Sequence, residues 1–157
     1  MAPITDTEGA VEYVVASIED ITLRRTQRRE LDRQLDLFRK AQDIADVGAW
    51  EFDRRTGTLY WTERAREIHG IGDAAVPTPT EALEYYHPED RPAVQRHFRR
   101  ALDEGIPYDL EVRLIDEDGA MHWVRERGEP QYLDGEVVRI RGTIQDITDR
   151  KRRDAEL

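Results

Sequence analysis

The chain contains no cysteine, one serine and two lysines among its 157 residues. Without cysteine it forms no disulfide, no thiolate metal site and no reactive thiol that could attach a chromophore. The single serine, Ser17, has no histidine near it in the sequence, which argues against a serine hydrolase. No apolar run approaches the roughly 20 residues of a membrane helix, and the N-terminus lacks the basic and apolar regions of a signal peptide. We therefore expect a soluble, cytoplasmic chain with no membrane segment.

Positive charge comes almost entirely from arginine, because the only lysines are Lys40 and Lys151, and the formal net charge is −10. An acidic, lysine-poor surface stays hydrated in high salt, so we expect a halophilic source; an acidic protein from a GC-rich genome is the alternative. The net charge disfavours a nucleic acid partner. The basic run at residues 150–153 is typical of a solvated helix face. The carboxylates show no paired spacing, so we expect no enzyme active site in this chain.

One phrase occurs twice, at a spacing of domain size. Residues 14–31 read VVASIEDITLRRTQRREL, and residues 140–157 read IRGTIQDITDRKRRDAEL. A repeat at this spacing is several times longer than a solenoid unit, so it marks the same boundary of two consecutive domains. The matched pairs at this boundary are Asp20 with Asp146 and Thr22 with Thr148.

The segment around the first copy predicts a strand followed by a connecting helix. Residues 10–18 are rich in β-branched types and predict a strand. After Thr22, which suits an N-cap, the chain has no glycine or proline as far as Ile44, and this predicts a helix. The predicted divisions are therefore a terminal strand of a preceding domain at 1–22, a connecting helix at 23–44, a complete domain at 45–148 and an outgoing helix at 149–157.

The connecting helix carries apolar residues at the spacing of a coiled coil. Leu31, Leu35, Phe38 and Ala45 follow one another at steps of four, three and seven residues, which fits a seven-residue repeat. This predicts a parallel homodimer through the helix. The alternative is a helix that lies on its own domain through Leu35 and Phe38.

The region after residue 45 predicts two strands, a helical middle part and three further strands. Gly57 suits the turn of a first hairpin, and Asp118-Gly119 and Asp134-Gly135 are strong two-residue hairpin signals. The helical part includes an amphipathic helix that ends near Glu104. We therefore expect an α+β domain with one five-stranded antiparallel sheet and a helical middle segment packed on one of its faces.

The motifs of this region, in their order, resemble a PAS domain with its C-terminal PAC half. They are GAWEFDRRTGTLYWTERAREIHGI, YYHPEDRPAVQRHFRRALDEG and YDLEVRLIDEDGAMHWVRERGEPQYLDGEVVRIRGTIQDITDRK, and they cover about residues 41–151. PAS domains of this type occur in strings within sensor histidine kinases of two-component systems. By the same resemblance, residues 9–22 look like the final strand and DIT motif of a preceding PAS domain.

The second copy of the phrase is the expected signal exit. The last strand of the sheet runs into Asp146 and Thr148. There Thr148 can cap the outgoing helix, and a carboxylate can interact favourably with the positive N-terminal end of the helix dipole. Asp20 and Thr22 are the corresponding residues of the first copy. In PAS proteins such a helix passes a change in the sheet to an effector domain, often within a parallel dimer.

The resemblance places a ligand pocket between the inner face of the sheet and the third helix of the middle part, which is the amphipathic helix that ends near Glu104. Apolar residues from both would surround it, although each of them also suits the ordinary core of a small domain. The candidate pocket residues are Trp50, Val94, Phe98, Leu102, Leu110, Val112, Ile140 and Ile144.

No cofactor is identified by the sequence. Haem-binding members of the family use a histidine on the third helix, where His97 lies, but the neighbouring Arg96, Arg99 and Arg100 place it at the margin of the apolar face and disfavour haem. LOV flavin domains and cinnamate-bound photoreceptors need a cysteine, so its absence excludes a covalently attached flavin or cinnamate chromophore. A flavin held without a covalent bond stays an alternative, but no residue marks it. No metal site is expected, because the other histidines, His69, His87 and His122, lack a second ligand at useful spacing.

The resemblance therefore implies a sensory PAS domain that passes a small-molecule or redox-type signal through its exit helix to an effector, such as a histidine kinase. Its partners would be neighbouring PAS and effector domains of the same full-length protein and a second copy of the chain. The alternative is a ligand-free PAS scaffold that mediates dimerisation or another protein–protein interaction.

Overall fold

The computed structural model describes the backbone of residues 7–156 and the side chains of residues 18–156. The chain separates into two units, residues 1–41 and residues 42–157. Helix α1 runs over Thr7–Ala45, so it forms the first unit and supplies the first residues of the second.

The predicted strand at residues 10–18 is wrong, because this segment lies within helix α1. Thr22 is not an N-cap but an interior residue, whose carbonyl accepts a hydrogen bond from the Thr26 hydroxyl at 3.0 Å. β-Branched residues favour a strand only where a neighbouring strand satisfies their backbone groups, whereas a helix satisfies its own. Residues 1–6 lie outside the described residues. The assignment of residues 1–22 to a preceding domain stays a prediction.

The predicted coiled-coil residues lie on α1 and are largely exposed. The exposed fractions of Leu31, Leu35 and Phe38 are 56%, 45% and 58%, and Ala45 is also exposed. Asp46 ends the helix with a φ of 58°, in the left-handed region that aspartate tolerates better than most residues. The chain turns there into the sheet.

The sheet has five antiparallel strands in the order β2-β1-β5-β4-β3, with the last strand of the chain at its centre. Asp134 and Gly135 both have positive φ, 51° and 80°, as the two-residue hairpin between the last two strands requires. The strands are β1 (Val47–Asp53), β2 (Thr58–Trp61), β3 (Tyr108–Ile115), β4 (Met121–Leu133) and β5 (Glu136–Asp146).

The helices of the second unit confirm the predicted α+β class, because three of them lie between the second and third strands. They are α2 (Glu63–His69), α3 (Pro79–Leu83), α4 (Arg91–Glu104) and the outgoing α5 (Thr148–Glu156). Helix α2 approaches β1 closely, since a Cβ built on Gly48 would lie 2.6 Å from the Ala65 amide nitrogen. The largest fully buried side chains are Leu114, Ile140, Ile144 and Val124, all on the sheet.

Candidate functional site

A cavity of about 280 Å³ lies between helices α2, α3 and α4 and the inner face of the sheet. Every strand and each of these helices contributes to its wall. Aromatic side chains supply much of this wall: Trp50, Trp61, Tyr86, Phe98 and Tyr108.

Two glycines form the part of the sheet beneath the aromatic rings. Trp50, Gly142, Gly128 and Tyr108 are successive cross-strand partners on β1, β5, β4 and β3. A Cβ on Gly142 would lie 2.4 Å from the Trp50 ring, and one on Gly128 would lie 2.5 Å from the Tyr108 ring. The two rings are nearly parallel, with centroids 6.5 Å apart and an interplanar angle of 23°. Because glycine leaves room at both positions, the rings lie flat against the sheet and the cavity remains open above them.

Glu126 brings a carboxyl group to this mostly apolar wall. It is 7% exposed, and the Tyr86 hydroxyl donates a hydrogen bond to its Oε2. Burial raises the pKa of Glu126 to about 7, and the hydrogen bond from Tyr86 only partly opposes this rise. Burial, with the charge of Glu126 as a second cause, raises the pKa values of Tyr86 and Tyr108 well above their ordinary range. The wall therefore holds one acid that titrates near neutral pH and two tyrosines that stay protonated.

His69 ends helix α2 at the other side of the cavity. It is 3% exposed, and its Nδ1 lies 2.7 Å from the Ala65 carbonyl oxygen, to which it donates. The ring stacks on Trp61 with centroids 3.9 Å apart. Burial lowers the pKa of His69 to about 4, so the ring is neutral at neutral pH.

Five of the eight candidate pocket residues line the cavity: Trp50, Val94, Phe98, Leu102 and Ile144. The other three, Leu110, Val112 and Ile140, pack in the adjoining hydrophobic core. Contact of any of them with a ligand stays a prediction.

Three buried polar members of the wall, Glu126, Tyr86 and His69, were not among the candidates. Alternation along β4 carries a signal for Glu126, because it shares the inward phase with Val124 and Gly128. Tyr86 carries no comparable local signal, since its partner Glu126 lies 40 residues further along the chain.

His97 lies on α4 and is half-buried, but it does not line the cavity. Burial, followed by the charges of Arg96 and Arg100, lowers its pKa. That haem is disfavoured at His97 stays a prediction. Within residues 18–156, no group of three histidine or carboxylate side chains is placed to hold a metal ion. No helix among the described residues is long and apolar enough to cross a membrane.

The exit from the sheet is held by a hydrogen-bond network that differs from the predicted cap. The Thr148 hydroxyl accepts from the Trp123 amide on β4 at 3.0 Å and donates to Asp146 Oδ1 at 2.6 Å. Asp146 Oδ1 also accepts from the Thr148 amide at 2.9 Å, so the carboxylate performs the capping role that we expected of Thr148. The threonine instead ties the first residue of α5 to β4.

His122 connects this junction to the turn between β3 and β4. Its Nδ1 lies 3.1 Å from Asp146 Oδ2, and its Nε2 lies 2.7 Å from Asp116 Oδ2. Helix α5 is also held by Lys151, whose Nζ is 2.7 Å from Glu111 Oε1 and 4.7 Å from the Trp123 ring centroid. Side chains on three strands and one turn therefore fix the start of the outgoing helix.

The equivalent residues of the first copy of the phrase do not form such a junction. Asp20 lies within helix α1 and pairs with Arg24 at 3.3 Å, both side chains being exposed. Thr22 lies in the same helix. A role for Asp20 and Thr22 in signal exit stays a prediction.

Comparison with known proteins places this architecture in a family. The PAS fold matches residues 58–144, which is more than half of the chain. A crystal structure of a sensory box histidine kinase/response regulator from Burkholderia thailandensis E264 is similar, with a TM-score of 0.63 and 32% identity. That alignment covers 76% of this chain and 90% of the other.

Two curated relatives are much longer than this chain. A probable diguanylate cyclase of Escherichia coli (strain K12), DgcE, is 29% identical over 150 residues, which is 94% of this chain and 13% of the relative. A blue-light-activated histidine kinase of Brucella ovis is 27% identical over 172 aligned positions, which cover 99% of this chain and 33% of the relative. The chain therefore spans no more than a third of these relatives. With the family match and the similar sensory box histidine kinase structure in agreement, the chain belongs to the PAS family.

Proposed function

We propose that this chain is a sensory domain that passes a small-molecule or redox-type signal through helix α5 to a downstream effector. The observation that carries the proposal is the connection between the cavity and the exit along one strand. Ile144 of β5 lines the cavity, and Asp146, two residues later on the same strand, holds the start of α5. The cavity favours a small molecule as the signal.

Strand β4 offers a second connection between the same two places. Glu126 lies in the cavity wall opposite Ile144, and Trp123, three residues earlier, holds the Thr148 hydroxyl and the Ile147 amide. An occupant that displaces Glu126 or Ile144 acts on the two strands that fix the exit. Since packed strands move as units, a small displacement at the cavity is transmitted to the first turn of α5.

The effector would be a separate domain of a longer protein. The relatives that this chain resembles are named as a histidine kinase and a diguanylate cyclase, and the chain covers only part of each. We therefore propose a histidine kinase as the effector, with a diguanylate cyclase as the second candidate. Catalysis would lie in that domain and not in this chain.

Removing the exit hydrogen bonds tests this proposal. We expect Thr148→Ala and Asp146→Ala each to lower stability by about 1 kcal/mol, because each change removes a cap or side-chain hydrogen bond at a helix start. That is too little to unfold the domain but enough to shift a nearly balanced junction several-fold. The measurement is autophosphorylation of a histidine kinase fused after α5, with a melting curve for each variant.

Thr56→Ala in the turn between β1 and β2 is the matched control, because its side chain is exposed and far from the exit in the sheet. The control is expected to leave kinase output unchanged. If the two exit variants melt near the wild-type temperature and signal like the control, the junction is a passive linker and the scaffold alternative is favoured.

A scaffold that mediates dimerisation is the second candidate function, and the exposed apolar residues of α1 favour it. We propose a parallel homodimer through Leu31, Leu35, Phe38 and Ala45, which share the seam of a seven-residue repeat. Such a dimer is also compatible with sensing.

Charge placed on this seam should separate the two subunits. We expect the double variant Leu35→Lys and Phe38→Lys to be monomeric in light scattering at concentrations where the wild-type chain is a dimer, because ammonium groups would face one another across the seam. Asp36→Lys, at an exposed position off the seam, is the control and should remain dimeric. A wild-type chain that is monomeric at high protein and salt concentration would contradict the proposal.

A further inference from the structure

The cavity wall contains a carboxyl group without a positive partner. Glu126 is buried and hydrogen-bonded to Tyr86, and it forms no ion pair with any residue that the structure describes. Ionising such a carboxyl group is costly unless a cation accompanies it. Arg99 also lines the cavity, but its exposed position keeps it hydrated, and the buried His69 is neutral at neutral pH.

The rest of the wall suits a cation as well. Aromatic rings surround the cavity, and the face of an aromatic ring attracts a positive charge within about 6 Å. The parallel rings of Trp50 and Tyr108 present one such surface, and Phe98 of α4 lies 6.4 Å from Trp50 between ring centroids. Buried carboxylate and aromatic faces together form the usual surroundings of a bound ammonium group.

We infer that the cavity binds a small amine, whose ammonium group pairs with the Glu126 carboxylate while its carbon skeleton packs against the aromatic rings. The inference rests on the proposed sensory function and names the chemical class of the signal. A volume of about 280 Å³ lies at the lower limit of ligand pockets, so the amine is smaller than a drug-sized molecule. Anionic ligands are disfavoured, because their charge would meet Glu126.

Pairing with Glu126 makes binding depend on pH. An ammonium pairs with the ionised carboxylate, so below the pKa of about 7 binding must first displace a proton. Affinity should therefore be about tenfold lower at pH 6 than at pH 8, while the amine is protonated at both. The other groups that face the cavity do not reproduce this change, since Tyr86 and Tyr108 stay protonated and His69 stays neutral across the interval.

Isothermal titration calorimetry on the whole chain tests the inference with three probes of similar size: benzylamine, benzyl alcohol and benzoate. We expect benzylamine to bind at least tenfold more tightly than the other two at pH 8. Glu126→Gln keeps the shape and the Tyr86 hydrogen bond but removes the charge, and it should reduce benzylamine affinity at least tenfold. Glu129→Gln, at an exposed position of the same strand, should leave affinity unchanged.

Titrating the wild-type chain with benzylamine at pH 6 and pH 8 tests the pairing with Glu126 without a variant. A loss of about tenfold between pH 8 and pH 6 supports the pairing, and an affinity independent of pH overturns it. Preference for benzyl alcohol or benzoate, or an unchanged affinity in Glu126→Gln, also overturns the inference, as does the absence of binding by all three probes. The exit variants need no ligand, so a failure of the amine inference leaves the test of the sensory function intact.

Discussion

Glu126→Gln should stabilise the folded chain by about 3 kcal/mol at pH 8 and by less than about 1 kcal/mol at pH 5. Burial raises the pKa of the Glu126 carboxyl from 4.5 to about 7. The folded chain therefore holds this proton more tightly than the unfolded chain, and stability falls as pH rises between these two values. Above pH 7 the folded wild-type chain must carry a buried negative charge, which glutamine does not have. The neutral amide still accepts the hydrogen bond from Tyr86.

Urea unfolding at pH 5, 6, 7 and 8 measures this difference. His69 acts in the opposite direction, because its lowered pKa of about 4 makes the folded chain less stable as pH falls below 6.5. That contribution is common to wild type and variant, so it cancels when the two are compared at one pH. Glu129→Gln is the control and should show no pH-dependent difference. A stability difference of equal size at pH 5 and pH 8 would mean that Glu126 does not titrate as the structure implies.

Gly142→Ala should be the more damaging of two matched glycine substitutions. A Cβ on Gly142 would lie 2.0 Å from the backbone carbonyl oxygen of Arg127, in the middle of the sheet, where the backbone cannot move freely. We expect a loss of about 3 kcal/mol, at the upper end of the range for overpacking. The three atoms nearest a Cβ on Gly128 all belong to the Tyr108 side chain, which can move into the cavity, so we expect Gly128→Ala to lose about 1 kcal/mol.

The comparison is sharp because the two glycines are cross-strand partners on the same face of the sheet. Both substitutions restrict the unfolded chain equally, so that contribution cancels. Urea unfolding of the two variants gives the difference directly. Equal losses of stability in the two variants would show that strands β4 and β5 can separate at this position. The part of the sheet beneath the aromatic rings would then not be rigid.

Local sequence signals were sufficient for most of the second unit. The hairpin at Asp134-Gly135 was predictable because both residues take positive φ, which is a property of the turn residues themselves. The two-residue turn predicted at Asp118-Gly119 is wrong, because β3 and β4 are joined by residues 116–120, among which only Gly119 has positive φ. Residues 10–18 were not, since their composition suits a strand but a strand also needs a neighbour to satisfy its backbone. Whether residues 10–18 form a strand or a helix depends on the segments available to pair with them, and the composition of residues 10–18 does not specify those segments.

The site was less predictable than the fold for the same reason. The inward phase of β4 would have placed Glu126 in the wall, but its meeting with Tyr86 depends on how α3 and the following turn lie against the sheet. At the exit, the Thr148 hydroxyl can accept from a helix amide or from the Trp123 amide, and in the structure it accepts from Trp123. Only the position of β4 beside β5 decides between them.

The pairing of β1 with β5 brings the entry and the exit of the sheet to neighbouring positions. Val47, the first residue of β1, is the cross-strand partner of Gln145, and the Gln145 side chain donates to the Ala45 carbonyl oxygen at 3.1 Å. Partners in an antiparallel ladder are separated by about 5 Å. A chain in which Asp46 is followed directly by Asp146 would therefore lack the sheet and its cavity. The segments before Asp46 and after Asp146 would move by only about the 5 Å that separates neighbouring strands. A domain attached in this way can be removed from a chain, or inserted into one, with little change in the spacing of the chain segments at its two ends.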